Sequence, residues 1–108
     1  MLHSLYKKYG DDFSWFELPS SSTQKRALEE RLLIEITPEH PLYDLSKTLA
    51  VVAKSERNDN ILCFDGKSYY IIHLTWSNGS AAYPRFRVVP ADHLMDFLEN
   101  DHNGADIV

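Results

Sequence analysis

The stretch ILCFDGKSYYIIHLTWSNGSAAYPRFRVV, residues 61–89, decides the fold of this chain. It contains three runs rich in apolar and β-branched residues, 61–64, 68–76 and 81–89, separated by the turn pairs Asp65-Gly66 and Asn78-Gly79. Asp-Gly and Asn-Gly between such runs are strong hairpin signals, because these residues tolerate the positive φ angles that tight turns require. The stretch therefore predicts three consecutive antiparallel strands.

A fourth strand and three helices extend outward from this stretch. The apolar run Leu49–Ala53, followed by the turn residues Asn58-Asp59, predicts a strand before the other three. Apolar residues at helical spacing predict helices over 2–9 and 23–36, and Pro90 suits the start of a third over 91–99. We expect the second helix to bury one stripe of apolar side chains. These are Ala27, Leu28, Leu32, Leu33 and Ile36. The predicted fold is α+β, an antiparallel four-stranded meander sheet with helices before and after it.

Length and composition are typical of one globular domain. The chain has 108 residues, of which 44% are hydrophobic and 25% charged, and its formal net charge is −5. We predict a single domain over 1–108, with an N-terminal helix and aromatic connector over 1–20 and a frayed tail over 100–108. The acidic balance disfavours a nucleic-acid binder, which usually carries a basic stripe.

The predicted hairpins also indicate which side chains share a face of the sheet. A two-residue turn at Asn78-Gly79 pairs Ile72 with Arg85 and Tyr70 with Arg87, and so collects aromatic and arginine side chains on one face. The predicted partner-binding residues are Tyr70, Trp76, Tyr83, Arg85 and Arg87. Because Trp, Tyr and Arg often carry the binding energy of protein interfaces, this face predicts a protein partner. The alternative is that the N-terminal helix and the connector cover the face, making its aromatic residues part of the core.

Candidate catalytic and metal-binding residues are sparse. The five histidines have no metal-ligand spacing, and the single cysteine, Cys63, lies in an apolar run that favours a buried structural thiol. We expect no metal and no cofactor. His73 lies among apolar residues of a predicted strand, where a histidine is either hydrogen-bonded within the core or a general base. The alternative function is therefore a small-molecule or nucleotide site, with or without catalysis. Its predicted residues are His40, Tyr43, His73, Thr75 and Arg85.

Two short motifs carry a resemblance to known proteins. The loop His40-Pro41-Leu42-Tyr43 and the strand end Ile72-His73-Leu74-Thr75-Trp76-Ser77 resemble a pattern shared by small uncharacterised bacterial proteins. The resemblance covers roughly residues 39–89 and implies a meander between the two motifs. It implies no catalytic residue.

The sequence thus favours a non-enzymatic interaction module, immunity-like or regulatory, that binds a protein partner of unknown identity. An acidic protein associates faster with a basic partner, which suits such a role. Self-association through the same face, giving a homodimer, is a further prediction. No apolar run approaches the roughly 18 to 20 residues that span a bilayer, and the start lacks the pattern of a signal peptide. With one cysteine, no intrachain disulfide forms, and we expect a cytoplasmic location and no membrane partner.

Overall fold

The computed structural model describes residues 2–76, 84–105 and 107, and in this part of the chain five antiparallel strands form one sheet in chain order. The strands are β1 (Trp15–Glu17), β2 (Ala50–Ser55), β3 (Asn60–Phe64), β4 (Tyr69–His73) and β5 (Arg85–Val89). The helices are α1 (His3–Tyr9), α2 (Thr23–Glu35) and α3 (Leu94–His102). The α+β class with an antiparallel sheet is confirmed, and the sheet has one strand more than predicted.

The additional strand comes from the aromatic connector. Trp15, Phe16 and Glu17 pair with Ser55, Lys54 and Ala53 at the edge of the sheet. The connector is too short to show the alternation from which a strand is recognised in sequence. Burial of Trp15, whose indole Nε1 donates to Asp101 Oδ2 at 2.7 Å, fixes it against the sheet.

Helices cover both faces of the sheet, giving three layers. The face toward α2 packs on Leu28, Leu32 and Ile36, and the opposite face packs on α1 and α3. The strand residues of the α2 face include Val51, Ile61, Cys63, Tyr70 and Ile72. Those of the α1/α3 face include Trp15, Ala53, Leu62, Ile71 and Val89. The alternative prediction, that the N-terminal helix covers the face with Tyr70, is therefore wrong. Helix α2 covers Tyr70, and α1 packs on the opposite face of the sheet.

The β3–β4 and β2–β3 pairings both differ from the expected ones. At Asp65-Gly66 the loop has four residues, because Asp65 Oδ1 accepts from the backbone of Lys67 and Ser68 at 2.8 Å each. This shifts the pairing by two residues and leaves the faces unchanged, since side chains alternate with period two. Between Val51 and Ala53 a register shift puts these two residues on opposite faces, whereas residues two apart on a regular strand share a face.

The pairing of β4 with β5 is one residue out of the predicted register. Ile72 pairs with Phe86 and His73 with Arg85, so the predicted pairs Ile72–Arg85 and Tyr70–Arg87 are wrong. A slip of one residue exchanges the faces of every side chain on the strand. The reason is burial: this register packs Phe86 against the α2-side core and leaves Arg85 exposed. The turn predicted at Asn78-Gly79 lies outside the described residues.

The buried stripe of α2 and the C-terminal end of α3 also differ from expectation. In α2, Ala27 and Leu33 are exposed and Glu35 is buried, so the predicted stripe is wrong at the first two. Helix α3 continues to His102, and Ile107 packs in the core, so the tail predicted to be frayed is partly packed. Among the described residues, no helix is long and apolar enough to cross a bilayer.

Candidate functional site

The residues predicted to bind a partner do not share one face. Tyr70 is buried on the α2 face, where its hydroxyl donates to Asp65 Oδ2 at 2.7 Å. Arg87 lies on the opposite face, with its guanidinium 5.7 Å from the ring centre of Phe97 in α3. Arg85 lies on that face too, as the register partner of His73. Tyr83 lies outside the described residues, and only Trp76 is left as an exposed aromatic of the predicted set on the α2 side.

Trp76 combines exposure with an unusual backbone conformation. Its side chain is 52% exposed, and its φ is 57°, the one positive φ found for a non-glycine residue within the described ranges. A bulky residue with positive φ is strained, by an amount of order 1–3 kcal/mol, and such strain persists only where the surroundings impose it. Strained residues concentrate at functional sites, so the contacts that hold Trp76 are informative.

A buried carboxylate holds the backbone at this point. Glu35, at the last turn of α2, accepts from Thr75 N at 2.7 Å, Thr75 Oγ1 at 2.8 Å and Trp76 N at 2.9 Å. Arg31 Nε donates to the same carboxylate at 2.7 Å. Burial would raise the pKa of Glu35, but the hydrogen bonds from Thr75, Arg31 and Trp76 outweigh it and hold that pKa below its usual value. Glu35 therefore stays ionised and fixes the chain direction after β4.

The indole ring of Trp76 is also held in place. Its Nε1 donates to Asp59 Oδ1 at 3.0 Å, and the Arg31 guanidinium lies 5.3 Å from the ring centre. Ala27, Arg31 and Ile34 follow one another at helical spacing on α2, and both Ala27 and Ile34 are exposed. We call Trp76, Arg31, Ile34 and Ala27 the Trp76 surface. Sequence reasoning missed Arg31 and Glu35 because a Glu-Arg pair on a helix usually faces water.

The residues predicted for a ligand site are divided between the two faces. His40 is buried on the α2 side, where Nδ1 accepts from Leu42 N at 3.0 Å and Nε2 donates to the Pro84 carbonyl at 2.9 Å. Both ring nitrogens are thus occupied by hydrogen bonds to the backbone of Leu42 and Pro84. Thr75 binds Glu35 on this side, and Tyr43 is exposed in a short 3-10 helix. Only His73 and Arg85 of the predicted set come together, on the opposite face.

His73 and Arg85 line an open pocket of about 360 Å³ at one end of the sheet. The β2–β3 turn supplies Arg57 and Asn58 to this pocket, and β3 supplies its first residue, Asn60. The last turn of α3 supplies Asp101, and Gly104 and Ala105 follow the helix. His73 Nδ1 lies 2.7 Å from Asn60 Oδ1. Sequence reasoning missed Arg57, Asn60 and Asp101 because the turn and the helix end meet only in the folded chain.

The other candidate chemistry is weak. Among the described residues, no group of three or more His, Cys, Asp and Glu side chains is arranged to hold a metal ion. Cys63 is fully buried in the α2-side core, and burial raises the pKa of its thiol far above the usual range. A thiol in this environment is a poor nucleophile, in keeping with the structural interpretation.

Comparisons of the chain with protein-family models, with curated proteins and with solved structures give no match. The resemblance of the two motifs to small bacterial proteins therefore stays a prediction. Four residues of the second motif have distinct environments: His73 lines the pocket, Leu74 is in the core, Thr75 binds Glu35, and Trp76 is exposed. Ser77 lies outside the described residues.

Proposed function

We propose that this protein is a non-enzymatic interaction module that binds a basic protein through the Trp76 surface. The observation that carries the proposal is the half-exposed Trp76 side chain on a strained backbone held by buried Glu35. Strain of this kind needs support from the rest of the fold, and the exposed half of the ring is apolar area that the folded chain leaves unburied.

The composition of the Trp76 surface supports a protein partner. Trp and Arg are among the residue types most often found as binding hot spots, and Ile34, one helical turn from Arg31 and 54% exposed, adds apolar area that a partner can bury. The ring is already fixed by Asp59 and Arg31, so binding costs little side-chain entropy. A rigid aromatic anchor of this kind favours slow dissociation.

The charge of the chain supports a basic partner. A formal net charge of −5 accelerates encounter with a positively charged protein and disfavours an acidic one. This is the chemistry expected of an immunity-like or regulatory protein that covers a basic partner. The same proposal includes a cytoplasmic location, supported by the single, buried cysteine.

The experiment uses affinity capture from lysate of the native cells with three forms of the full chain: wild type, Trp76→Ala and Val88→Ala. Val88 is the matched control, since it is 51% exposed, lies on β5 and has no part in the Trp76 surface. We expect wild type and Val88→Ala to retain a basic protein that Trp76→Ala loses. The two purified proteins should then bind at a ratio of one to one, and their association rate should fall as salt is added.

Three outcomes contradict the proposal. In the first, no retained protein depends on Trp76. In the second, the reconstituted partner is acidic or its association is insensitive to salt. In the third, light scattering shows twice the monomer mass for wild type and the monomer mass for Trp76→Ala, which would make the surface a homodimer interface instead.

A further inference from the structure

The pocket at the His73 end of the sheet shares none of its described lining residues with the Trp76 surface. The described residues that line it contribute two guanidinium groups, an imidazole, two carboxamides and one carboxylate. Its volume of about 360 Å³ lies within the roughly 300 to 1,000 Å³ typical of small-molecule sites. Its polar lining suits a charged, hydrated ligand rather than an apolar one.

The positive groups are held in position by the fold. Arg57 Nη1 donates to the carbonyls of Asp101 at 3.4 Å and His102 at 2.7 Å, which fixes its guanidinium beside the end of α3. These bonds use one of its three nitrogens, and the remaining N–H groups are donors for a ligand. Arg85 reaches the pocket from β5, on the face where it pairs with His73.

The imidazole of His73 is oriented toward the same space. Asn60 is 4% exposed, its backbone N–H donates to Asn58 Oδ1 at 2.9 Å, and its Oδ1 lies 2.7 Å from His73 Nδ1. Because an amide oxygen only accepts, Nδ1 carries a proton and Nε2 is the atom left for a ligand. When the ring is protonated, Nε2 donates; when it is neutral, Nε2 accepts from a P–OH group.

The carboxylate found among the described lining residues, that of Asp101, is already engaged within the fold. Asp101 is buried, and its Oδ2 is occupied by the indole of Trp15 at 2.7 Å. In this part of the chain the pocket therefore has two guanidinium groups and one carboxylate, and a hydrogen bond already occupies an oxygen of that carboxylate.

We infer that the pocket formed by Arg57, His73 and Arg85 binds the phosphate group of a small molecule. Guanidinium groups match the geometry of phosphate oxygens and form charge-assisted hydrogen bonds with them. A tetrahedral anion offers several oxygens and can accept from donors on three sides, which a planar carboxylate does less well. Asn58, Gly104 and Ala105 also line the pocket and are available to contact the rest of such a molecule.

The test is a titration of the full chain with inorganic phosphate and, separately, with adenosine monophosphate, followed by amide chemical shifts at constant ionic strength. We expect shifts at Asn58, Asn60 and Gly104, with dissociation constants at or below about 1 mM. Arg57→Gln and Arg85→Gln should each weaken binding by about tenfold or more. Arg87→Gln is the matched control, since Arg87 lies two residues along the same strand face but packs on Phe97 outside the pocket.

The two ligands distinguish the source of the phosphate. Equal affinities indicate a site for the free anion, and at least about tenfold tighter binding of the monophosphate indicates an organic ester. The inference is overturned if neither ligand shifts these amides up to about 10 mM, or if Arg87→Gln weakens binding as much as Arg85→Gln does. Exposed Arg85 can be replaced with little risk to folding, so failure of Arg57→Gln to fold leaves the test intact. The Trp76→Ala variant should bind both ligands like wild type, which separates this site from the protein-binding surface.

Discussion

Replacing Glu35 by Gln should destabilise the protein more than any other isosteric substitution on α2. The carboxylate accepts four hydrogen bonds, two at each oxygen, and its side chain is 1% exposed. In Glu35→Gln an NH₂ group replaces one oxygen and faces two donors. If that oxygen is Oε2, Trp76 N and Arg31 Nε both lose their acceptor.

The magnitude follows from these contacts. Hydrogen bonds to a charged group contribute about 1.5–3 kcal/mol each, and breaking a buried ion pair from one side costs about 3–5 kcal/mol. We therefore expect the free energy of unfolding to fall by about 3–4 kcal/mol. That is a large share of the roughly 5–15 kcal/mol typical of a natural domain. Because Trp76 loses the bond that holds its positive φ, its indole should also become more accessible to a quencher.

The assay is urea unfolding followed by circular dichroism, with Glu30→Gln as the control. Glu30 is an exposed glutamate on the same helix, and its replacement should change the free energy of unfolding by less than about 0.5 kcal/mol. A loss below about 1 kcal/mol for Glu35→Gln would refute the argument that this carboxylate holds the strand end.

The pH dependence gives an independent check on the same carboxylate. Its pKa in the folded protein is lowered from the usual 4.5, so protonation favours the unfolded chain. The stabilisation is therefore complete above pH 4.5 and is lost as the pH falls through the folded-state pKa. The difference in stability between wild type and Glu35→Gln should shrink as the solution is acidified below pH 4.5, and a difference that grows there would contradict this account.

Three further predictions concern the core and the hairpin. Trp15→Phe removes the bond to buried Asp101 and should lower the free energy of unfolding by about 1–3 kcal/mol in urea, and an unchanged midpoint would argue against that bond. The hydrogen bond to Asp65, with burial, raises the pKa of Tyr70 to about 12, so its ultraviolet phenolate signal should appear near that pH and at lower pH in Asp65→Ala. The buried Cys63 thiol should react with a thiol reagent only as fast as the chain opens, so urea should accelerate labelling, and rapid labelling of the native protein would contradict its burial.

The elements that could be predicted from the sequence are those defined by local patterns. The helices over 2–9 and 23–36 and the strand runs follow from the spacing of apolar residues, and Asp65-Gly66 marks a hairpin whatever its length. The short connector strand Trp15–Glu17 could not be predicted, because three residues show no period and pair only when β2 is present. The same holds for the burial of Glu35, whose partners Thr75 and Trp76 lie some 40 residues away.

The candidate sites depended on register and on contacts between distant segments. The sequence by itself determined that His73, Arg85 and Arg87 lie on neighbouring strands, whereas the strand predicted to run to Trp76 ends at His73. Tertiary structure decided the side of the sheet for each, because burying Phe86 shifts β5 by one residue and a single shift exchanges both faces. It also brought Arg57 and Asp101, 44 residues apart, to the pocket of His73, and set Arg31 against Trp76. Local patterns fix which elements form, whereas the packing of side chains from distant elements fixes which residues meet.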